Sequence, residues 1–101
     1  MVMLNERDMY ADAKIYRILD KIPNTNMREA VQYYLLEGIP MGGFMKALFS
    51  NNLVDAYNRA DSWNSAVMHL WADWLYNHCP REAWGSEDKM KAYMAKVKVQ
   101  K

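Results

Sequence analysis

The sequence predicts an all-α fold, a small compact bundle of about five to six helices, and three observations lead there. Val, Ile and Thr together account for only 11 of the 101 residues, and no segment alternates cleanly as a half-buried strand would. Apolar residues recur instead at spacings of three and four, between residues that cap and stop helices. The apolar material is also unusual, because nine Met, seven Tyr and four Trp outnumber the 18 Val, Ile and Leu residues. Thioethers and rings with a polar handle suit adaptable contact surfaces as well as interiors. A chain of this length has room for one domain, taken here as residues 1–101.

The elements follow in order. Asn5 is placed to cap a first helix, with Asp8 in its first turn and Met9, Ile15, Tyr16, Leu19 and Ile22 as its stripe until Pro23. Asn26 with Glu29 three residues later reads as a capping box for a second helix, which carries Val31, Tyr34 and Leu35 on one face and ends at Gly38. Ile39 to Gly43 is a tight connection. A short helix then turns Phe44, Leu48 and Ala47 inward until Asn51-Asn52 breaks it. Asn52 caps another short helix running through Leu53, Ala56 and Tyr57. Asp61 caps the longest, central one, with Trp63, Val67, Leu70, Trp71, Trp74 and His78 in helical register. Pro80 and Gly85 bracket a turn that holds Trp84. Ser86, with Glu87 and Asp88 in the first turn, starts a last helix carrying Met90, Tyr93 and Met94.

Composition excludes several classes. A single cysteine, Cys79, cannot build a disulfide framework. No uncharged run approaches the roughly 18 residues of a membrane span, and the charged start around Glu6, Arg7 and Asp8 does not read as a signal peptide. A hydrophobic share of 51% with a net charge of +1 argues against disorder. The expectation is a small soluble domain of the cytoplasm. Charge is uneven along it: residues 89–101 carry five lysines and no acid, leaving eight basic against twelve acidic groups, a net −4, in the first 88. A lysine-rich helix end is most simply a solvated, dipole-compensating terminus. The acidic body and the lack of a recognition helix argue against DNA binding.

Catalytic constellations are missing from the pattern. His69 and His78 are nine residues apart, about 180° around one helix, so one helix cannot present both to a metal. His78 and Cys79 are neighbours that point apart, and no nucleophile, zinc, phosphate-loop or dinucleotide motif occurs. The expectation is a protein that is not an enzyme and has no cofactor or metal. Binding leaves softer marks. Gly42-Gly43 ahead of a helix offers backbone amides to an anion, although two glycines also simply make the turn after Pro40. Arg28, Arg59 and Arg81 are the arginines considered for such an anion. Tyr33 and Tyr34 fall on different sides of their helix. Trp63, Trp71 and Trp74 fall on a stripe, as do Met90 and Met94, and read as core or subunit interface; Trp84 in its turn is not explained that way.

From residue 27 to about 93 the chain resembles a known family. The resembling stretches are Met27-Arg28-Glu29-Ala30-Val31 with Tyr34, Gly38-Ile39-Pro40-Met41-Gly42-Gly43-Phe44, Ala47-Leu48 with Asn51-Asn52-Leu53, Ala56 with Arg59-Ala60-Asp61 and Asn64, and Leu75-Tyr76-Asn77, Pro80 and Trp84-Gly85-Ser86. It is similar to the small phage and viral "sponge" proteins of the anti-CBASS type, which sequester cyclic-nucleotide immune signals. The domain then divides into a family core over 27–95 and an accessory N-terminal helix over 1–22. The resemblance implies capture of a cyclic dinucleotide, such as cyclic GMP–AMP, in the host cytoplasm, by a homo-oligomer that performs no reaction and serves immune evasion. For such a ligand, position favours Arg28 and Arg59 at phosphates, with the Gly42 and Gly43 amides beside them. Tyr34, Tyr76 and Trp84 are the candidates for stacking on bases, and Asn51, Asn64 and Asn77 those for reading base edges. Each has a plainer reading: Asn77 as a helix terminator, Tyr76 as core, Arg59 and Asp61 as an ion-pairing residue and a cap. The alternative for the whole chain is a small helical phage protein that inhibits a host protein through a Met/Trp-rich surface.

Overall fold

The computed structural model describes residues 6–100. Seven α-helices occupy them: α1 (Glu6–Leu19), α2 (Arg28–Glu37), α3 (Gly43–Phe49), α4 (Leu53–Arg59), α5 (Ser62–Ala66), α6 (Met68–Asn77) and α7 (Glu87–Gln100). Short 3-10 turns at Thr25–Met27 and Arg81–Ala83 complete the order, and no strand occurs among the described residues. No helix among them is long and apolar enough to cross a membrane. The all-α bundle is therefore the observed fold. In it α1 packs on α2, α2 on α7, α3 on α4, and α7 on the Arg81–Ala83 turn.

The expected Asn5 cap and the Asp8 and Met9 side chains lie outside the described residues. Further along α1 Ile15 and Leu19 are buried, as is Ile22 just past the end of the helix. Tyr16 stands one step of about 100° off that line and is exposed. The second helix is entered differently from the expected capping box. Asn24, nearly fully buried, accepts from the Asn26 backbone N–H at 3.0 Å and caps the 3-10 turn, and α2 starts after it at Arg28. Val31, Tyr34 and Leu35 are buried as the spacing predicts, and Gly38 ends the helix in the left-handed region at φ 70°. A Cβ on Gly38 would come within 2.8 Å of the Met94 carbonyl oxygen, so this glycine also lets α2 and α7 approach.

α3 buries Met45, Ala47, Leu48 and Phe49, with Phe44 half-buried against Trp71. Asn51, at φ 64°, makes the reversal, and Asn52 caps α4 by accepting from the Asp55 N–H. Of α4 only Ala56 is buried; Leu53 and Tyr57 are exposed. Asp61 caps α5 as expected, at 2.7 Å from the Asn64 N–H. The expected long helix, however, breaks at Val67 (φ −107°, ψ 18°). Asn64, Met68, Trp71, Trp74 and Leu75 are buried, a face rotated by about half a residue step from the expected stripe, while Trp63, 60% exposed, and Leu70 face outward. Ser86 caps α7 through the Lys89 N–H at 3.1 Å, and Met90, Tyr93 and Val97 turn inward.

Aromatic rings run through the centre of the bundle. Tyr93, Tyr34, Phe49, Trp74, Trp71 and Phe44 each touch the next at centroid separations of 5.4, 5.5, 6.1, 6.0 and 6.4 Å. These are the offset and edge-to-face separations that the ring quadrupole favours.

The two glycines at the ends of the α2–α3 connection differ in what they tolerate. Gly38→Ala loses about 1–2 kcal/mol from its positive φ alone, with the clash against Met94 added. Gly42→Ala, whose Cβ would meet nothing within 4 Å, stays within about 0.5 kcal/mol of the parent. Urea denaturation of the two variants checks the contrast.

Candidate binding edge on helices α3 and α4

The reversal at Asn51-Asn52 folds α4 back along α3 and brings Arg59 to the start of α3. Its Nη1 lies 3.2 Å, and its Cδ 3.6 Å, from the point where a Gly43 side chain would begin. Gly43 therefore leaves the guanidinium its place. Arg59 Nε donates to both carboxylate oxygens of Asp55, at 3.0 and 3.1 Å, one helical turn earlier. Beside this pair Asn52, Val54, Asp55, Tyr57 and Asn58 line a shallow depression that opens widely to solvent.

Four of the ten expected ligand residues belong to this edge. Gly43 and Arg59 meet, Gly42 precedes them with its backbone extended, and Asn51 lies at the far end of α3 next to Asn52. The other six are placed elsewhere. Arg28 pairs with Asp20 across the α1–α2 corner. Tyr34 has no solvent exposure and its hydroxyl donates to the Ala83 carbonyl at 2.6 Å, so it is core and cannot stack on a ligand. Asn64 is corrected in the same way: it is 3% exposed, and its Oδ1 accepts from Asn24 Nδ2 and Trp71 Nε1, both at 3.1 Å. Tyr76 is 72% exposed on α6, which rules out its reading as core. The Asn77 amide is occupied within its own helix, donating to the Asp73 carbonyl and carboxylate at 3.1 and 2.7 Å. Trp84 is half-buried against the core, and its buried Nε1 has no hydrogen-bond partner among the described residues.

Sequence reasoning passed over Val54, Tyr57 and Asn58 as binding residues. The spacing carried no signal for them: Leu53, Val54, Ala56 and Tyr57 fall within about 160° of one another around α4, as a single inward apolar face would.

Among the described residues no three His, Cys, Asp or Glu side chains gather as a metal site. Cys79 is buried, and burial pushes its thiol well above the usual range. It is held as the neutral thiol, a poor nucleophile and metal ligand. Burial first, then the nearby Cys79, raises the Tyr34 phenol; burial first, then Cys79, Glu82 and Asp12, raises that of Tyr93. The lysine-rich α7 is largely a solvated face, with Lys91 and Lys96 paired to Glu87 and Glu82. Comparison with known proteins finds no family model, no curated protein and no solved structure that matches the chain.

Cys79, Tyr34 and Tyr93 set the alkaline limit of the fold. Their folded pKa values are raised, so their contribution to stability is complete below the unfolded values. It is lost as pH rises past about 8.5 for the thiol and about 10 for the phenols, at up to about 1.4 kcal/mol per pH unit and group. Denaturation midpoints between pH 7 and 11 should stay level and then fall, and Cys79→Ala should delay the first part of that fall.

Proposed function

We propose that the protein acts by binding rather than catalysis, and that it sequesters a cyclic dinucleotide on the α3–α4 edge. The supporting observation is the Arg59 guanidinium laid over Gly43 and paired with Asp55, whose carboxylate also lines the open depression formed with Asn52, the half-exposed Tyr57 and Asn58. These are the groups such a ligand needs. A guanidinium makes charge-assisted bonds to phosphate oxygens, a phenol ring stacks on a base at roughly 1–3 kcal/mol, and amides pair with base edges. Arg28, Tyr76, Asn77 and Trp84 play no part in this reading. One edge covers one side of a ligand, and homo-oligomerisation would supply the other. The setting is the one the resemblance implies, a viral protein acting in the host cytoplasm against an immune signal.

A second reading draws on α4 itself. Leu53 at 63% exposure, Val54 at 80% and Tyr57 at 48% are offered to solvent by a helix that buries only Ala56. Apolar side chains grouped in this way mark protein-contact surfaces, which fits inhibition of a host protein.

Thermal unfolding with a panel of cyclic di- and trinucleotides separates the two. Under sequestration, a ligand at about 100 times its Kd stabilises by about 2.7 kcal/mol, a rise of about 10–20 °C for a chain of this size. Arg59→Ala then weakens binding about 10- to 150-fold. No shift with any ligand of the panel contradicts sequestration. A protein partner lost on Val54→Glu and retained by Arg59→Ala supports the second reading.

A further inference from the structure

We propose that Asp55 biases the α3–α4 edge toward phosphodiesters and away from phosphomonoesters. The inference rests on the nucleotide reading of that edge and adds a determinant that the reading does not contain.

Arg59 is held on two sides. Its Nε edge is filled by the Asp55 carboxylate, at 3.0 and 3.1 Å, and its Nη1 lies against Gly43. The Asp55 backbone is held in the first turn of α4, its N–H donating to the Asn52 cap at 3.3 Å, and its carboxylate is held by Arg59. An incoming phosphate can therefore use only the terminal nitrogens, with a fixed negative charge a few ångströms behind them. The pair as a whole is neutral, so Arg59 offers directed hydrogen bonds more than net attraction.

The penalty from Asp55 grows with the charge of the ligand group. A phosphodiester carries one negative charge, whereas a terminal phosphomonoester carries about 1.5 to 2 at pH 7. At about 6 Å in water-like surroundings, each additional unit of charge weakens binding about threefold. Asp55 also orients Arg59, but an exposed pair at this spacing contributes only about twofold. That contribution is common to both ligands and cancels in their ratio. Charge discrimination is what remains. A cyclic dinucleotide contains only diesters, and opening one of them creates a terminal monoester, so Asp55 disfavours the opened form.

Titration calorimetry on the full chain tests this with two ligands of the same bases, cyclic GMP–AMP and its linear form with a terminal 5′-phosphate. Wild type, Asp55→Asn and Asp55→Glu are compared, with thermal unfolding of each as the measure of folding. Asp55→Asn should lower the preference for the cyclic ligand about two- to threefold, and Asp55→Glu, which keeps the charge, should retain most of it. Binding of the linear ligand by Asp55→Asn alone also supports the proposal. An unchanged or increased preference in Asp55→Asn overturns the role of Asp55, while the nucleotide reading survives if wild type still binds the cyclic ligand. Absence of binding to either ligand by both wild type and Asp55→Asn overturns the proposal and the reading together.

Discussion

A phenol removed from water must find an acceptor, and Tyr34 finds one in the carbonyl of Ala83, 49 residues along the chain. Leaving such a group unpaired in the interior costs about 1–3 kcal/mol, a large part of the stability of a domain this small. The same condition recurs along the chain of rings. The Tyr93 hydroxyl donates to Leu35 at 2.6 Å, Trp74 Nε1 to Ile18 at 2.9 Å, and Trp71 Nε1 to Asn64 at 3.1 Å. Each bond ties a ring to backbone or amide on another element. A core that mixes branched aliphatics with rings is thus specified by directional contacts as well as by volume, and α1, α2, α6 and α7 are placed by them.

That arrangement explains why the open surface lies where it does. Phe49 anchors the end of α3 between Tyr34 and Trp74, and the Phe49 carbonyl accepts from the Gly85 N–H at 2.8 Å. α3 is therefore part of the core. α4 hangs from α3 by the Asn51-Asn52 reversal and one buried methyl group, that of Ala56, and turns its larger side chains outward. Its ion pair and amides are exposed because the rings have already filled the interior.

Local chemistry was the most legible part of the fold. Asn52, Asp61 and Ser86 cap the helices their positions predict, and Gly38 ends α2 in the left-handed region, because capping depends on a few neighbouring atoms. The rotation of the central face was not legible. Trp63 and Leu70 fit the helical period as well as Asn64 and Met68 do, and a buried amide is the less expected occupant; Asn64 is inside because Asn24 and Trp71 bond its side chain. The candidate site divides along the same line. Arg59 and Gly43 are 16 positions apart and meet because a capped turn joins their helices. Tyr34 and Asn64 carry groups equally suited to a ligand, but partners 49 and 40 positions away use them, which single-chain spacing does not reveal.

The central claim is a division of labour: the rings and amide of the interior hold the structure, and recognition is confined to the α3–α4 edge. Nitrogen-15 NMR spectra with and without cyclic GMP–AMP test it most directly, since backbone amides, indoles and the Arg59 Nε–H are seen together. The account predicts shifts in the amides of residues 51–59 and in Arg59 Nε–H, with the Trp71 and Trp74 indole signals unmoved. Shifts centred on those indoles or on α1 and α7, or no shifts at all, would contradict it.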